Sequence, residues 1–244
     1  MSFSRPVVVS IAGFDPSGGA GILADIKTFE QHQVYGLGVL TANTIQSDEK
    51  VMQVDWISVK KIKDQLQVLL DRWNPEWFKI GIVESSEVLL ELLQSIIQHN
   101  SHAKFIWDPV LQSSSGYQFF KSEHDLEVLL QHITVLTPNL PEFECLIGAE
   151  EKALKLSYKT MIYQKGGHRE EALLGQDVLF WNGDKYFLEP SNRTFAKHGS
   201  GCILSSAICA NLALGIQSPL AFEKAKQYTE KVLSSNPSLL GWHS

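Results

Sequence analysis

Apolar positions along this chain fall in two rhythms that take turns. Residues 6–12 form an unbroken, β-branched run, the mark of a strand buried on both faces of a parallel sheet. Residues 22–33 then set Ile22, Ile26 and Phe29 on one helical face. Residues 35–42 read as a second strand, and 51–57 as a short extended piece. After Ser58, which suits an N-cap, Ile62, Leu66, Leu69, Leu70 and Trp73 recur at helical spacing. The exchange continues with a strand over 77–82, a helix over 86–99 and a strand over 104–110 stopped at Asp108-Pro109. A helix over 125–132, a strand over 133–137, a helix over 142–148 and a strand over 161–164 follow. Residues 177–181 and 186–188 flank Asn182-Gly183-Asp184, a strong hairpin cue. Two helices, 201–214 and 221–235, come last. The alternation predicts an α/β protein with a largely parallel sheet. No repeat, low-complexity segment or Pro/Ser-rich linker divides residues 1–244, so one domain is expected.

Composition adds mainly exclusions. With 244 residues, 44% hydrophobic and 20% charged, the chain is no disordered, collagenous or coiled-coil protein, and it needs no disulfide or structural metal to fold. A net charge of −6 without a Lys/Arg run argues against nucleic acid as a partner. Residues 1–6 lack a signal-peptide pattern, and no apolar stretch approaches the ~18–20 residues of a membrane span, so no membrane partner is expected. Three cysteines without CxxC spacing suit a reduced, cytoplasmic setting.

Candidate chemistry sits in loops at predicted strand ends, where open α/β sheets place their sites. Gly13-Phe-Asp-Pro-Ser-Gly-Gly-Ala-Gly21 follows the first strand. It is no Walker A loop. Gly19-Ala-Gly-Ile-Leu-Ala24 matches the dinucleotide fingerprint, but lies six residues past the strand, and no acid marks the second strand's tip. A plain turn, with Asp15 as a turn residue and Asp25 as an ordinary helix charge, is the bland alternative. Lys197-His-Gly-Ser-Gly-Cys202 opens an apolar helix, and its amides and helix field suit a phosphate or a transferring phosphoryl group. The same field lowers a thiol pKa, making Cys202 either a proton acceptor or a small core residue. Cys145 and Cys209 read as core. Lys165, in Lys165-Gly-Gly-His168, ends a strand and suits a phosphate. Asn139 and Glu142 suit either a metal-bound water or a helix cap, and Asp108 ends a strand within reach of the same place.

Together these strings resemble the hydroxymethylpyrimidine/phosphomethylpyrimidine kinases of thiamine biosynthesis, in the ribokinase superfamily. The resemblance is carried by Ile11-Ala-Gly-Phe-Asp-Pro-Ser-Gly-Gly-Ala-Gly-Ile-Leu-Ala-Asp-Ile-Lys-Thr-Phe29, Tyr35-Gly, Thr41-Ala42, Lys79-Ile-Gly81, Asp108-Pro-Val110, Thr137-Pro-Asn-Leu-Pro-Glu142, Lys165-Gly-Gly-His168 and His198-Gly-Ser-Gly-Cys202. It implies a three-layer sandwich with helices on both faces of the sheet. It also implies an ATP- and Mg²⁺-dependent kinase that phosphorylates a pyrimidine's hydroxymethyl group and then the monophosphate, and a homodimer. By the same resemblance Gly13, Asp25, Gln46, Ile82 and Val110 line the pyrimidine pocket. The resemblance also implies that Cys202 acts as base, or at least sits against the attacking oxygen, backed by the N–H groups of Gly199, Ser200 and Gly201. Asn139, Lys165 and His168 face ATP, and Asp108 and Glu142 organise Mg²⁺. The chain departs from the family at Gln46-Ser-Asp48, where Gln-Asn-Thr is usual, at Ser200 in place of Thr, and in shortened segments at 148–160 and 234–244. A pyridoxal kinase, a non-catalytic pyrimidine binder and a dinucleotide-dependent oxidoreductase are the competing readings.

Overall fold

The computed structural model describes residues 5–113, 116–121, 126–167, 174–191 and 194–244. Its strands are β1 (Val7–Phe14), β2 (Tyr35–Gln46), β3 (Val51–Trp56), β4 (Trp77–Ile80), β5 (Lys104–Trp107), β6 (Val135–Leu136), β7 (Met161–Gln164), β8 (Asp177–Trp181) and β9 (Asp184–Leu188). Its helices are α1 (Gly21–Gln31), α2 (Val59–Trp73), α3 (Ser86–His99), α4 (Leu126–Leu130), α5 (Leu140–Leu146), α6 (Glu150–Leu156), α7 (Ser200–Ala213) and α8 (Leu220–Ser234). The strands form one sheet in the order β3-β2-β1-β4-β5-β6-β7-β8-β9. Pairings from β2 through β7 are parallel, while β3, β8 and β9 join antiparallel.

The continuous apolar run of β1 has a simple cause: both of its faces are covered. Val9 and Ile11 pack against Ile62 and Leu66 of α2 and Leu89 and Leu93 of α3. Val8 points the other way, into a core with Phe29 of α1, Ile208 of α7 and Phe222 of α8. Three layers result, as expected for this class. Helix α7 packs on the sheet and is flanked by α1 and α8, so residues 203–211 are buried all round and show no amphipathic stripe.

Several boundaries differ from the sequence reading for tertiary reasons. β2 runs on to Gln46 because its distal half pairs with β3, from Ala42↔Trp56 to Gln46↔Val51. α6 exists as a short helix in the 148–160 segment, where the periodicity gave no element. Ser58 holds the N-cap position of α2 without a side-chain cap bond. The hairpin turn falls on Asn182 and Gly183, both at positive φ (52° and 84°), as a two-residue turn of this hand needs. No helix among the described residues is long and apolar enough to cross a membrane. Because β1 pairs with β2 on one side and β4 on the other, chain direction across the sheet reverses there, and a crevice opens outside the strands' carboxyl ends.

Candidate active site

That crevice is a cavity of about 1440 Å³, lined among others by Gly13, Gln46, Ile82, Val110, Lys165 and Cys202. Single-ligand pockets usually span about 300–1,000 Å³, so two ligands fit side by side. Gly199, Ser200, Gly201, Asn139, Asp108 and Glu142 line it too. His168 lies outside the described residues.

At one end β1 stops at the glycine-rich loop. A side chain on Gly13 would overlap Ile82, so only glycine lets these walls meet. Gln46 reaches the cavity from the end of β2, and its amide donates to Asp15. Asp15 is 2% exposed and organises the loop: Oδ1 accepts from the Ser17 amide (2.9 Å), while Oδ2 accepts from the Ala20 amide (2.8 Å) and Ser17 Oγ (2.9 Å). His198 Nε2 lies 2.9 Å from the same Oδ2. Burial pushes the Asp15 carboxyl up, but the bonds from His198, Gln46, Ser17 and Ala20 outweigh it and hold the group well below the carboxylate range. One carboxylate thus clasps the loop after β1, the tip of β2 and the loop before α7. The clasp is tight: Gly199, at φ 75°, caps α7 where a Cβ would overlap the Gly19 carbonyl.

At the other end α7 presents its N-terminus. A Cβ on Gly201 would stand 3.2 Å from Lys165 Nζ and 3.6 Å from Asp108 Oδ2. Lys165 Nζ donates to Asp108 Oδ1 at 2.7 Å and lies 3.7 Å from Glu142 Oε2. Burial alone would push this ammonium down; the two carboxylates, Asp108 foremost, hold it above the lysine range. Burial likewise works against Asp108, but Lys165 and Lys79 keep its carboxyl low, and Ser205 Oγ donates to its Oδ2 at 3.3 Å. Glu142 behaves differently: burial raises its carboxyl, and Lys165 offsets only part. Asn139 and Glu142 also form a full capping box on α5, with Asn139 Oδ1 accepting from the Glu142 amide (2.8 Å) and Glu142 Oε2 from the Asn139 amide (2.7 Å). Cap and cavity wall are therefore the same residues. Among the described residues no cluster of three or more His, Cys, Asp or Glu side chains is placed to hold a metal. Two carboxylates shared with a lysine suit a hydrated Mg²⁺ completed by phosphate oxygens, not a dry protein cage.

Between the two ends stands Cys202, in the first turn of α7. Burial pushes its thiol up to about 11; Lys79 pulls it back, Asp25 and Asp108 push further, and the Gly21 N–H donates to it. Burial thus leaves the thiol raised, contrary to the lowered thiol the loop pattern suggests. Gly21 also belongs to the dinucleotide-like string, and its amide is turned to Cys202 rather than to a ligand.

Two further expectations need correction. Asp25 does not line the cavity. It is fully buried beneath it, accepting from Lys79 Nζ with both oxygens (2.9 Å each), from Ser10 Oγ (2.5 Å) and from Ser206 Oγ (2.7 Å). Its reach to the site is indirect: Lys79, also fully buried, touches the cavity wall and is held charged by Asp25 against its burial. Cys145 is not core. α5 buries Glu142, Phe143 and Leu146, which leaves Cys145 exposed on the cavity side. Cys209 is buried as expected. Asp15, His198 and Lys79 also line the cavity, a place the sequence reading does not assign to them. For Lys79 a signal existed, since a lysine inside the apolar strand Trp77–Ile80 has to find a buried partner.

Comparison with known proteins places the chain among relatives over most of its length. The family described as phosphomethylpyrimidine kinase matches residues 15–244. A hydroxymethylpyrimidine/phosphomethylpyrimidine kinase of Staphylococcus aureus is 31% identical, over 96% of this chain and 90% of its own length. The crystal structure of phosphomethylpyrimidine kinase from Clostridium difficile superposes with a TM-score of 0.76 at 31% identity, over 92% of this chain and 98% of that one. The pyridoxal kinase of Staphylococcus aureus in complex with AMP-PCP and pyridoxal gives 0.77 at 26% identity, covering 96% and 89%. The chain belongs to the phosphomethylpyrimidine kinase family, and is a phosphotransferase acting on hydroxymethylpyrimidine and its monophosphate.

Proposed function

We propose that the cavity works as one transfer site with two ends, the pyrimidine held by Gly13, Gln46, Ile82 and Val110, and ATP lying toward Asn139 and Lys165. The observation that carries this reading is the convergence of Gln46, Cys202 and Lys165 on one cavity large enough for both substrates. Gln46 has one amide hydrogen committed to Asp15. Its carbonyl oxygen and remaining hydrogen can then address an amino group and a ring nitrogen side by side. In the transfer, the substrate oxygen bonds to the γ-phosphorus as the bond from phosphorus to the ADP oxygen breaks. Amides of residues 199–202 take up charge on the phosphoryl oxygens, and Lys165 neutralises the nucleotide's phosphates. The hydroxyl proton passes to the Cys202 thiolate. With burial holding the thiol near 11, only its small ionised fraction can accept that proton at neutral pH. Asp108 and Glu142 would hold Mg²⁺ through its waters. The ion would supply charge neutralisation between phosphate oxygens.

The pathway is thiamine biosynthesis. The three free thiols suit a cytoplasmic setting, and the exposed Ile45 and Met52 of the β2–β3 hairpin offer apolar surface for the homodimer. Light scattering that returned a monomer at micromolar concentration would dismiss the dimer. The functional test is ADP release with the pyrimidine alcohol, its monophosphate and pyridoxal in parallel. Turnover of both pyrimidines above pyridoxal is expected. Preference for pyridoxal would replace the substrate assignment, and pyrimidine binding without any ADP would leave a binding protein instead of an enzyme.

A further inference from the structure

Lys197 stands immediately before His198 in the loop that caps α7, and it is only 8% exposed. A buried ammonium normally finds a carboxylate. Among the described residues no ion pair involves Lys197. Its Nζ instead donates to main-chain carbonyls of the C-terminal segment, those of Asn236 and of Ser238 (2.6 Å). The Phe195 ring lies on a further side, its centroid 5.3 Å away. The segment supplying these carbonyls is itself well made. Asn236 Oδ1 accepts from the Ser238 amide (2.8 Å), and Asn236 Nδ2 donates to the Leu240 carbonyl (3.0 Å). The His198 amide donates to the Leu239 carbonyl at 2.9 Å, and Leu240 packs where a side chain on Gly19 would stand.

We propose that Lys197 is a positioning residue for phosphoryl transfer, whose ammonium fills a carbonyl-lined cation site behind the loop and fixes the C-terminal turn against it. The chemistry follows from the donors. Two convergent peptide carbonyls beside an aromatic face attract any compact monovalent cation. The chain fills the place with its own side chain. The loop held in this way carries His198, which reaches Asp15, and Gly199, which caps α7 against Gly19. Loosening it misplaces the amides of residues 199–202 by fractions of an ångström without touching the pyrimidine end. The inference rests on the reading that these amides receive the phosphoryl group.

The test replaces Lys197 by Met, which keeps the apolar stem and removes the charge. Expected is a fall in kcat of about 10- to 100-fold, the scale of a small misplacement of reacting groups, with the pyrimidine KM changed by no more than about twofold. Adding roughly 100 mM ammonium or potassium chloride should restore much of kcat in Lys197→Met, whereas choline chloride at the same ionic strength should not, since only a compact cation fills the vacated place. Wild-type turnover should be indifferent to the choice of cation. Amide exchange at His198, read by hydrogen–deuterium exchange, should accelerate in the variant and slow again with ammonium. Because exchange needs no turnover, it separates this inference from the transfer reading: an inert wild type would defeat that reading while leaving the exchange result meaningful. A Lys197→Met protein with unchanged kcat and unchanged exchange overturns the proposal, as does a loss that ammonium and potassium leave untouched. Should Lys197→Met fail to fold, Lys197→Gln is read by the same criteria; if neither folds, the lysine is a folding element and the positioning role is rejected.

Discussion

A thiol whose burial lifts it to about 11 and a glutamine already bound to a carboxylate define what single residues contribute here. Replacing Cys202 by Ala removes the proton acceptor, and kcat should fall by at least about 10²-fold, the contribution of a positioned base. Pyrimidine affinity should stay nearly intact; equal turnover in Cys202→Ala would take the thiol out of the chemistry. Its ionisation can be read directly. In a Cys145→Ser background, alkylation of Cys202 by iodoacetamide should rise with pH toward a midpoint of about 11, because the thiolate is the reactive form. A midpoint near neutrality would mean that the helix field beats burial after all. Gln46→Ala should weaken the pyrimidine and leave ATP alone. Asp25→Ala should act on stability, taking the paired carboxylate from the buried Lys79 under the site at a cost of about 3–5 kcal/mol. A chemical-denaturation curve superimposable on wild type would contradict the buried pair.

At the scale of elements, one helix start does double work. The α5 capping box and the cavity wall share Asn139 and Glu142. Asn139→Ala should cost about 1 kcal/mol through the lost cap and raise the ATP KM as well, whereas a cap with no role in the site would change stability alone. The sequence exposed most of this level. Residues 6–12 announced β1 because both its faces are covered, and Asn182-Gly183 announced the β8–β9 turn because few residues accept positive φ twice. Glycines around Cys202 and before α1 located both loops. Out of reach were features set by distant partners. β2 extends to Gln46 only because β3 returns alongside it. Asp25 reads as a pocket residue until Lys79, 54 positions away, is seen to claim it. Cys145 reads as core because its neighbours are apolar, yet so short a helix buries only one face.

For the whole molecule, the site draws on loops from Gly13 to Cys202, and the C-terminal segment that packs against the loop before α7 carries an acid-sensitive contact. His243 returns to α1 and α8: Nδ1 lies 3.0 Å from Tyr228 Oη, its carbonyl accepts from Gln31, and Lys27 is close enough to repel a charged ring. Burial, helped by Lys27, pushes its pKa down to about 4. The folded protein therefore binds this proton less readily than the unfolded chain, whose histidines titrate near 6.5. Stability linked to His243 is complete above that value and is lost as pH falls from about 6.5 toward 4. Tm should drop across this window, and His243→Gln, which keeps a polar partner for Tyr228 but cannot gain the charge, should flatten that part of the profile. Asp15, held low by its donors, acts in the same direction at more acid pH. The two contributions separate because Asp15→Asn should lower Tm at neutral pH, while His243→Gln should not. If His243→Gln left the decline between pH 6.5 and 4 as steep as in wild type, the acid response would lie elsewhere, and the C-terminal segment would be held independently of this ring's charge.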